Sequence, residues 1–202
     1  MPTGKSTTVN SPSVGALLWT LDIMNKEYGQ SPDELFDVVD ENDNVLHPLS
    51  RGEIHKRHLR HRAVHIFWLN QAGELCLQRR SYAKDNSPGY LSTSCAGHVD
   101  SGEKYIQAAV REFQEELGIT IGSQDLMELD YAPCHENLGN EFVVSYLLRG
   151  DFTAQIYRPE VDSLVWRSPQ QVIHWTQQEP DLFATPFLHL LSRNKILKSL
   201  QG

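Results

Sequence analysis

The sequence predicts an α/β fold, and three features predict it. Short apolar runs bounded by turn residues recur between residues 35 and 78 and again between 141 and 166. Between them lies an unbroken run of good helix formers, from about Gly102 to Leu117. A second helix-periodic stretch, Phe187 to Leu200, lies near the end of the chain. Strand-like and helix-like periodicities therefore alternate along one chain.

Residues 1 to about 30 are rich in Ser, Thr, Pro and Gly without a core pattern. They read as an extension, with Met24 an alternative start and the folded domain taken as 31–202. Leu35 to Val39, the turn Asp40-Glu41-Asn42-Asp43-Asn44 and Val45-Leu46 read as a hairpin. Ala63 to Leu69 and Leu75 to Gln78 flank Asn70-Gln71-Ala72-Gly73, a second hairpin signal. A strand precedes the helix and another follows it. Ser101 is placed to cap that helix and Gly118 to stop it in a left-handed conformation. Ile106, Ala109, Val110, Phe113 and Leu117 form its apolar stripe. Glu141 to Arg149 is the next apolar run, Ser163 to Trp166 a short strand, and Pro169 to Trp175 the start of a helix. The C-terminal helix offers Leu188, Leu191, Ile196 and Leu200 to the core.

At 202 residues with 40% hydrophobic content, the chain is long enough to bury a sizeable core. Its net charge of −8 argues against nonspecific nucleic-acid or anionic-membrane partners, which need a basic footprint. Val14 to Leu21 is an apolar run of eight residues, too short to span a bilayer. Cys76, Cys95 and Cys134 show neither disulfide nor zinc-knuckle spacing, and a reducing cytoplasm is the default location. One segment is strongly basic: Arg51 to Arg62 holds five of the 18 Lys and Arg and three of the nine His. It reads either as a solvated loop or as a phosphate-attracting rim.

The helix also carries Glu112, Glu115 and Glu116 together on a flank beside the apolar stripe, with the small Ala108 beneath. A solvated acidic face is one reading. Energetics favour another, because like charges three or four apart cost roughly 0.2–0.5 kcal/mol per pair. Near a helix C-terminus each anion costs roughly 0.3–1 kcal/mol more. A hard divalent cation such as Mg²⁺ or Mn²⁺ prefers carboxylate oxygens and shares them with substrate phosphates.

Gly97 to Ile119 reads GHVDSGEKYIQAAVREFQEELGI. A glycine, five residues, a glutamate, seven residues and then Arg-Glu-apolar-x-Glu-Glu-x-Gly-apolar follow one another in it without a mismatch. This stretch resembles the Nudix box, and the resemblance implies an α/β/α sandwich around a mixed sheet. It also implies a pyrophosphohydrolase that uses Mg²⁺ or Mn²⁺ on a small-molecule diphosphate. Glu112, Glu115 and Glu116 match its metal-binding positions, and the Gly97 carbonyl matches one that often joins them. Arg111 and Glu103 match the pair that orients the site. The general base is left between Glu115 and Glu141, at the head of the next strand.

HRAVHIFWLN (61–70), GELCLQRRSYAK (73–84) and SPGYLSTSCAGHVDSGE (87–103) narrow the resemblance to the branch containing type I isopentenyl-diphosphate isomerases. Arg80 and Lys84 stand where that branch grips the diphosphate. His61, His98 and Glu141 match metal-binding positions there, and a structural imidazole is the competing reading for each histidine. Two matches fail: a further histidine falls near Ile54, one residue from His55, and a loop glutamate falls on Gly139. Ala96 stands in place of the isomerase cysteine, with Cys95 on the opposite face if the segment is extended. An intact box without that thiol favours hydrolysis of a diphosphate linkage in a nucleotide-type substrate. Isomerisation and mere diphosphate binding are the alternatives. Tyr90, Tyr131, Phe142 and Tyr157 are candidates for base stacking, and the oligomeric state, a homodimer included, is not written in the sequence.

Overall fold

The computed structural model describes residues 31–201. The N-terminal extension expected from the sequence lies outside them. Nine strands are described: β1 (Leu35–Val39), β2 (Val45–Ser50), β3 (His61–Leu69), β4 (Leu75–Arg80), β5 (Leu91–Ser92), β6 (Cys95–His98), β7 (Leu126–His135), β8 (Glu141–Arg149) and β9 (Val161–Arg167). Five α-helices accompany them: α1 (Arg51–Lys56), α2 (Tyr105–Leu117), α3 (Pro169–Gln178), α4 (Thr185–Leu191) and α5 (Asn194–Gln201). The fold is α/β, with a mixed sheet between helices.

β1 and β2 form a separate hairpin, and the other strands form one sheet in which β3 runs parallel to β8 while the other pairs are antiparallel. β3 is the hinge of this sheet. Its C-terminal end pairs with β4, through Trp68 and Leu69, whereas its first half pairs with β6, from Ala63 to Ile66. The sheet therefore forks on one side of β3, between β4 and β6.

Alternation along β3 builds two cores. Val64, Ile66 and Trp68 pack under α2, against Ala108, Ala109, Phe113 and Leu117. Ala63, Phe67 and Leu69 face the other way, against Phe187, Leu190, Ile196 and Leu200 of α4 and α5. A side-chain period of two delivers successive residues to opposite layers. Each fully buried Leu or Phe adds about 1.5–3 kcal/mol relative to exposure.

Three expectations are corrected. The box helix starts at Tyr105, because Gly102 has φ 79°, and Ser101 donates its hydroxyl to Asp37 Oδ1 at 2.7 Å instead of capping. Its C-terminal stop is as expected, with Gly118 left-handed at φ 67°. The single C-terminal helix is two, broken at Ser192 and Arg193. There Arg193 donates to the buried Asp130 carboxylate and, at 3.2 Å, to the Tyr131 carbonyl. A buried carboxylate demands a cation, and that demand overrides helix continuity. Finally, the basic segment is neither a loop nor a continuous rim: it forms α1 and the head of β3, with Arg51 and His61 buried while Lys56, Arg57 and Arg60 are exposed.

Candidate active site

Gly97 brings β6 against α2 so closely that a Cβ built on it would lie 1.9 Å from Glu112 Cδ. A side chain at position 97 would push the Glu112 carboxylate out of this place, so the first residue of the box leaves room for one of its acids. Burial pushes Glu112 up to about 8, against the pull of Arg111. Glu116 is also buried, accepts from Gln78 Nε2 at 3.2 Å and has the Cys95 thiol against it. Glu115 is the outer member, with 58% of its side chain exposed.

Arg111 ties the acids together. Nη1 donates to Glu112 Oε1 at 2.8 Å and Glu115 Oε2 at 3.0 Å. Nε and Nη2 donate to the two Glu103 oxygens at 3.2 and 3.0 Å, and Nη2 also reaches the His98 carbonyl at 2.9 Å. The guanidinium fork thus locks five acceptor oxygens and offsets part of the repulsion among the carboxylates. Glu103 is held in turn by its loop, where the Ser101 hydroxyl and the Gly102 N–H donate to Asp37 of β1 at 2.7 and 3.0 Å. At the hairpin tip, Asp43 receives Arg62 Nε at 2.6 Å and the Tyr105 hydroxyl at 2.8 Å.

Glu141 heads β8 opposite His61 of β3, its Oε1 lying 3.2 Å from His98 Nε2 and 3.4 Å from His61 Nε2. Burial opposes ionisation of Glu141, but the two histidines, when their Nε2 atoms carry protons, outweigh it by hydrogen bonding and charge and hold the carboxyl well below its usual range. His61 Nδ1 faces the Leu59 carbonyl at 3.0 Å, which can only accept, so in the neutral ring the buried Nε2 carries a lone pair towards the carboxylate. His55, from α1, completes a cluster with His61 and His98 whose ligand atoms lie within 4.8 Å of one another. The sequence comparison had set His55 aside as one residue out of register. Its place on the short helix α1 brings it in. Burial keeps both His55 and His98 down at about 4. A lone pair facing a carboxylate, with two further neutral imidazoles, is the donor set a divalent cation fits.

The box acids, Arg111, His98 and Glu141 open onto one cavity of about 880 Å³. Arg51, Arg80 and Lys84 line it together with Glu112, Glu115, Glu116 and Glu141. Arg80 Nε is held by the Asn86 carbonyl at 3.0 Å, and Lys84 contacts Glu160, an acid that burial pushes up to about 7 against the pull of the lysine. Sequence reasoning missed Glu160, Arg51 as an individual lining residue, and Asp37; no local spacing marks them, because each is recruited by tertiary contact. Of the proposed stacking rings, Tyr157 lines the cavity. Tyr131 bonds Asp43 and packs on Phe142, and Tyr90 is 40% exposed elsewhere. Ala96 lines the cavity, whereas Cys95 points into the core beneath α2.

The NUDIX domain pattern matches residues 59–187. An isopentenyl-diphosphate Delta-isomerase of Serratia proteamaculans is 33% identical over 161 residues, covering 79% of this chain and 90% of that protein. A Nudix hydrolase of Deinococcus radiodurans is 33% identical over 146 residues, covering 72% and 85%. The crystal structure of DR0079 from the same organism superposes with a TM-score of 0.65 at 26% identity, covering 83% of this chain and 98% of that one. Among the described residues, no helix is long and apolar enough to cross a membrane. With the box laid out on α2 and its glycine seated against Glu112, these matches show that the chain belongs to the NUDIX-domain family of diphosphate-cleaving hydrolases.

Proposed function

We propose that this chain is a Mg²⁺- or Mn²⁺-dependent pyrophosphohydrolase that cleaves a diphosphate linkage in a nucleotide-type substrate. The observation that carries the reading is a single cavity lined both by the box carboxylates and, besides Arg111, by three cationic side chains, Arg51, Arg80 and Lys84. Glu112, Glu115, Glu116 and the Gly97 carbonyl would hold one cation, and His55, His61, His98 and Glu141 suit a second. A bound divalent cation neutralises diphosphate charge and acidifies water.

The chain's own groups do the rest. Arg80 offers a fork and Lys84 a point charge to phosphate oxygens. Glu160 holds Lys84 in the cavity wall. Arg111 and Glu103 keep Glu112 and Glu115 in place. Glu115 is the better placed base, since it is more than half exposed and tethered only through the flexible reach of one guanidinium. Glu141 is already committed to two histidines, so its carboxylate is a weak proton acceptor. Glu115 then takes the proton of a water attacking phosphorus. A panel of nucleoside diphosphates and triphosphates, nucleotide sugars, ADP-ribose, dinucleoside polyphosphates and coenzyme A, assayed with each metal, tests the reading; release of phosphate or nucleoside monophosphate from none of them refutes it.

Arg80→Ala and Lys84→Ala are expected to raise KM about tenfold or more while lowering kcat less, because they grip phosphate in ground and transition states alike. Unchanged KM in both variants removes them from the site.

Isomerisation is the second reading, favoured by the His55, His61, His98 and Glu141 cluster and by the isomerase relatives. Against it stands the thiol. Burial raises the Cys95 pKa well above its ordinary value and its side chain lies in the core, while Ala96 faces the cavity with nothing to move a proton. The native chain is therefore expected not to interconvert isopentenyl and dimethylallyl diphosphate, and interconversion at enzyme-like rates overturns the hydrolase reading.

A further inference from the structure

The cavity has a floor that the diphosphate machinery leaves unused. His65 of β3 lies there, across the β-ladder from Ala96, with Ala63 and Ser92 also lining the space. The ring is 5% exposed, and its Nδ1 sits 2.8 Å from the hydroxyl of Thr93, which is wholly buried. Thr93 Oγ1 in turn donates to the Cys95 carbonyl at 3.2 Å. A hydroxyl has one proton and a carbonyl can only accept, so both contacts are hydrogen bonds only when Thr93 gives its proton to Cys95 and takes one from His65 Nδ1. A neutral imidazole has a single N–H. With that proton fixed on Nδ1, Nε2 is a lone-pair acceptor.

We propose that His65 is a specificity residue whose unprotonated Nε2 accepts a hydrogen bond from a hydroxyl or N–H on the organic half of the substrate, with Thr93 setting the tautomer. The inference rests on the diphosphate reading and extends it to a substrate class: diphosphates whose organic half bears such a donor, sugars and nucleosides among them, over alkyl diphosphates. A hydrocarbon in the same place leaves a desolvated acceptor unpaired, the situation in which polar sites reject an analogue most strongly. Burial keeps the ring neutral, its pKa held down at about 4. Stacking is a poorer basis for recognition here. Of the described aromatic rings, Phe36 and Tyr157 line the cavity, and Phe36 is already stacked on His98 at 4.6 Å. Small side chains at 63, 92 and 96 leave room for a polar group beside the ring.

Two measurements test this. Long-range ¹H–¹⁵N spectra of the native protein at neutral pH are expected to show His65 protonated at Nδ1, and Thr93→Val, which keeps the shape and removes the acceptor, to move the proton to Nε2. Binding of ADP-ribose and of isopentenyl diphosphate is then compared, with Ca²⁺ replacing Mg²⁺ to suppress turnover. Thr93→Val and His65→Leu are each expected to weaken ADP-ribose about five- to tenfold; Thr93→Val leaves isopentenyl diphosphate within twofold, whereas His65→Leu, which removes the unpaired acceptor, tightens it. A native ring protonated at Nε2, or equal effects on the two ligands, overturns the proposal while leaving hydrolysis intact. An Nδ1-protonated ring in a chain that binds neither compound and hydrolyses no diphosphate removes the diphosphate reading, and the proposed substrate class with it.

Discussion

Glu116→Gln and Glu115→Gln are each expected to lower turnover by at least about 10²-fold on the best substrate, the range that follows loss of a metal ligand or general base. The two variants fail for different reasons. Glu116 is 2% exposed and wedged between Gln78 and Cys95, so glutamine keeps its volume and removes a charge from the floor of the site. Glu115 stands 58% exposed, and its replacement removes the proton acceptor while barely touching packing. Steady-state kinetics with melting curves for each variant separate lost chemistry from lost fold. Near-native turnover in both places the metal site elsewhere.

The second large effect is on stability. Millimolar Mg²⁺ or Mn²⁺ should raise the melting temperature, and chelation should abolish hydrolysis until metal is restored. Arg111 offsets some of the repulsion among the box acids, yet burial still pushes Glu112 up to about 8, so its charged form lacks compensation that a cation would supply. A cation that binds only the folded site stabilises it by RT ln(1 + [M]/Kd), about 2.7 kcal/mol at a hundredfold excess over Kd. For a chain of this size that is roughly 5–10 °C. Changing Glu112, Glu115 and Glu116 together to Gln should remove the shift and leave the metal-free protein no less stable, since Arg111 retains Glu103 and Asp100 as partners. A melting temperature indifferent to both metals, with hydrolysis that resists chelation, reduces the acidic face to ordinary surface.

Local signals in the sequence located the elements best where one residue type has one use. Gly118 marks a left-handed stop, and Glu141 to Arg149, nearly all buried, is strand from end to end. Signals with several uses misled. Ser101 resembles a cap, but Asp37 competes for its hydroxyl; the amphipathic run from Phe187 resembles one helix, but Asp130 captures Arg193 and breaks it. The box acids were legible because their spacing places them on one helical flank. His55 and Glu160 were not, since a short helix turns His55 towards His61 and His98 and a loop places Glu160 in the cavity wall, positions that only tertiary contacts define.

The clamp from Asp37 to Ser101 and Gly102 joins groups 64 and 65 residues apart in sequence. The box helix closes its own hydrogen bonds locally and can form early, but the loop carrying Glu103 is fixed only when the far earlier hairpin has returned to it. Long-range closure is slow relative to helix formation. Assembly of the catalytic acids is thereby tied to a contact that spans more than sixty residues, and a chain whose hairpin is undocked holds a complete motif without a complete site.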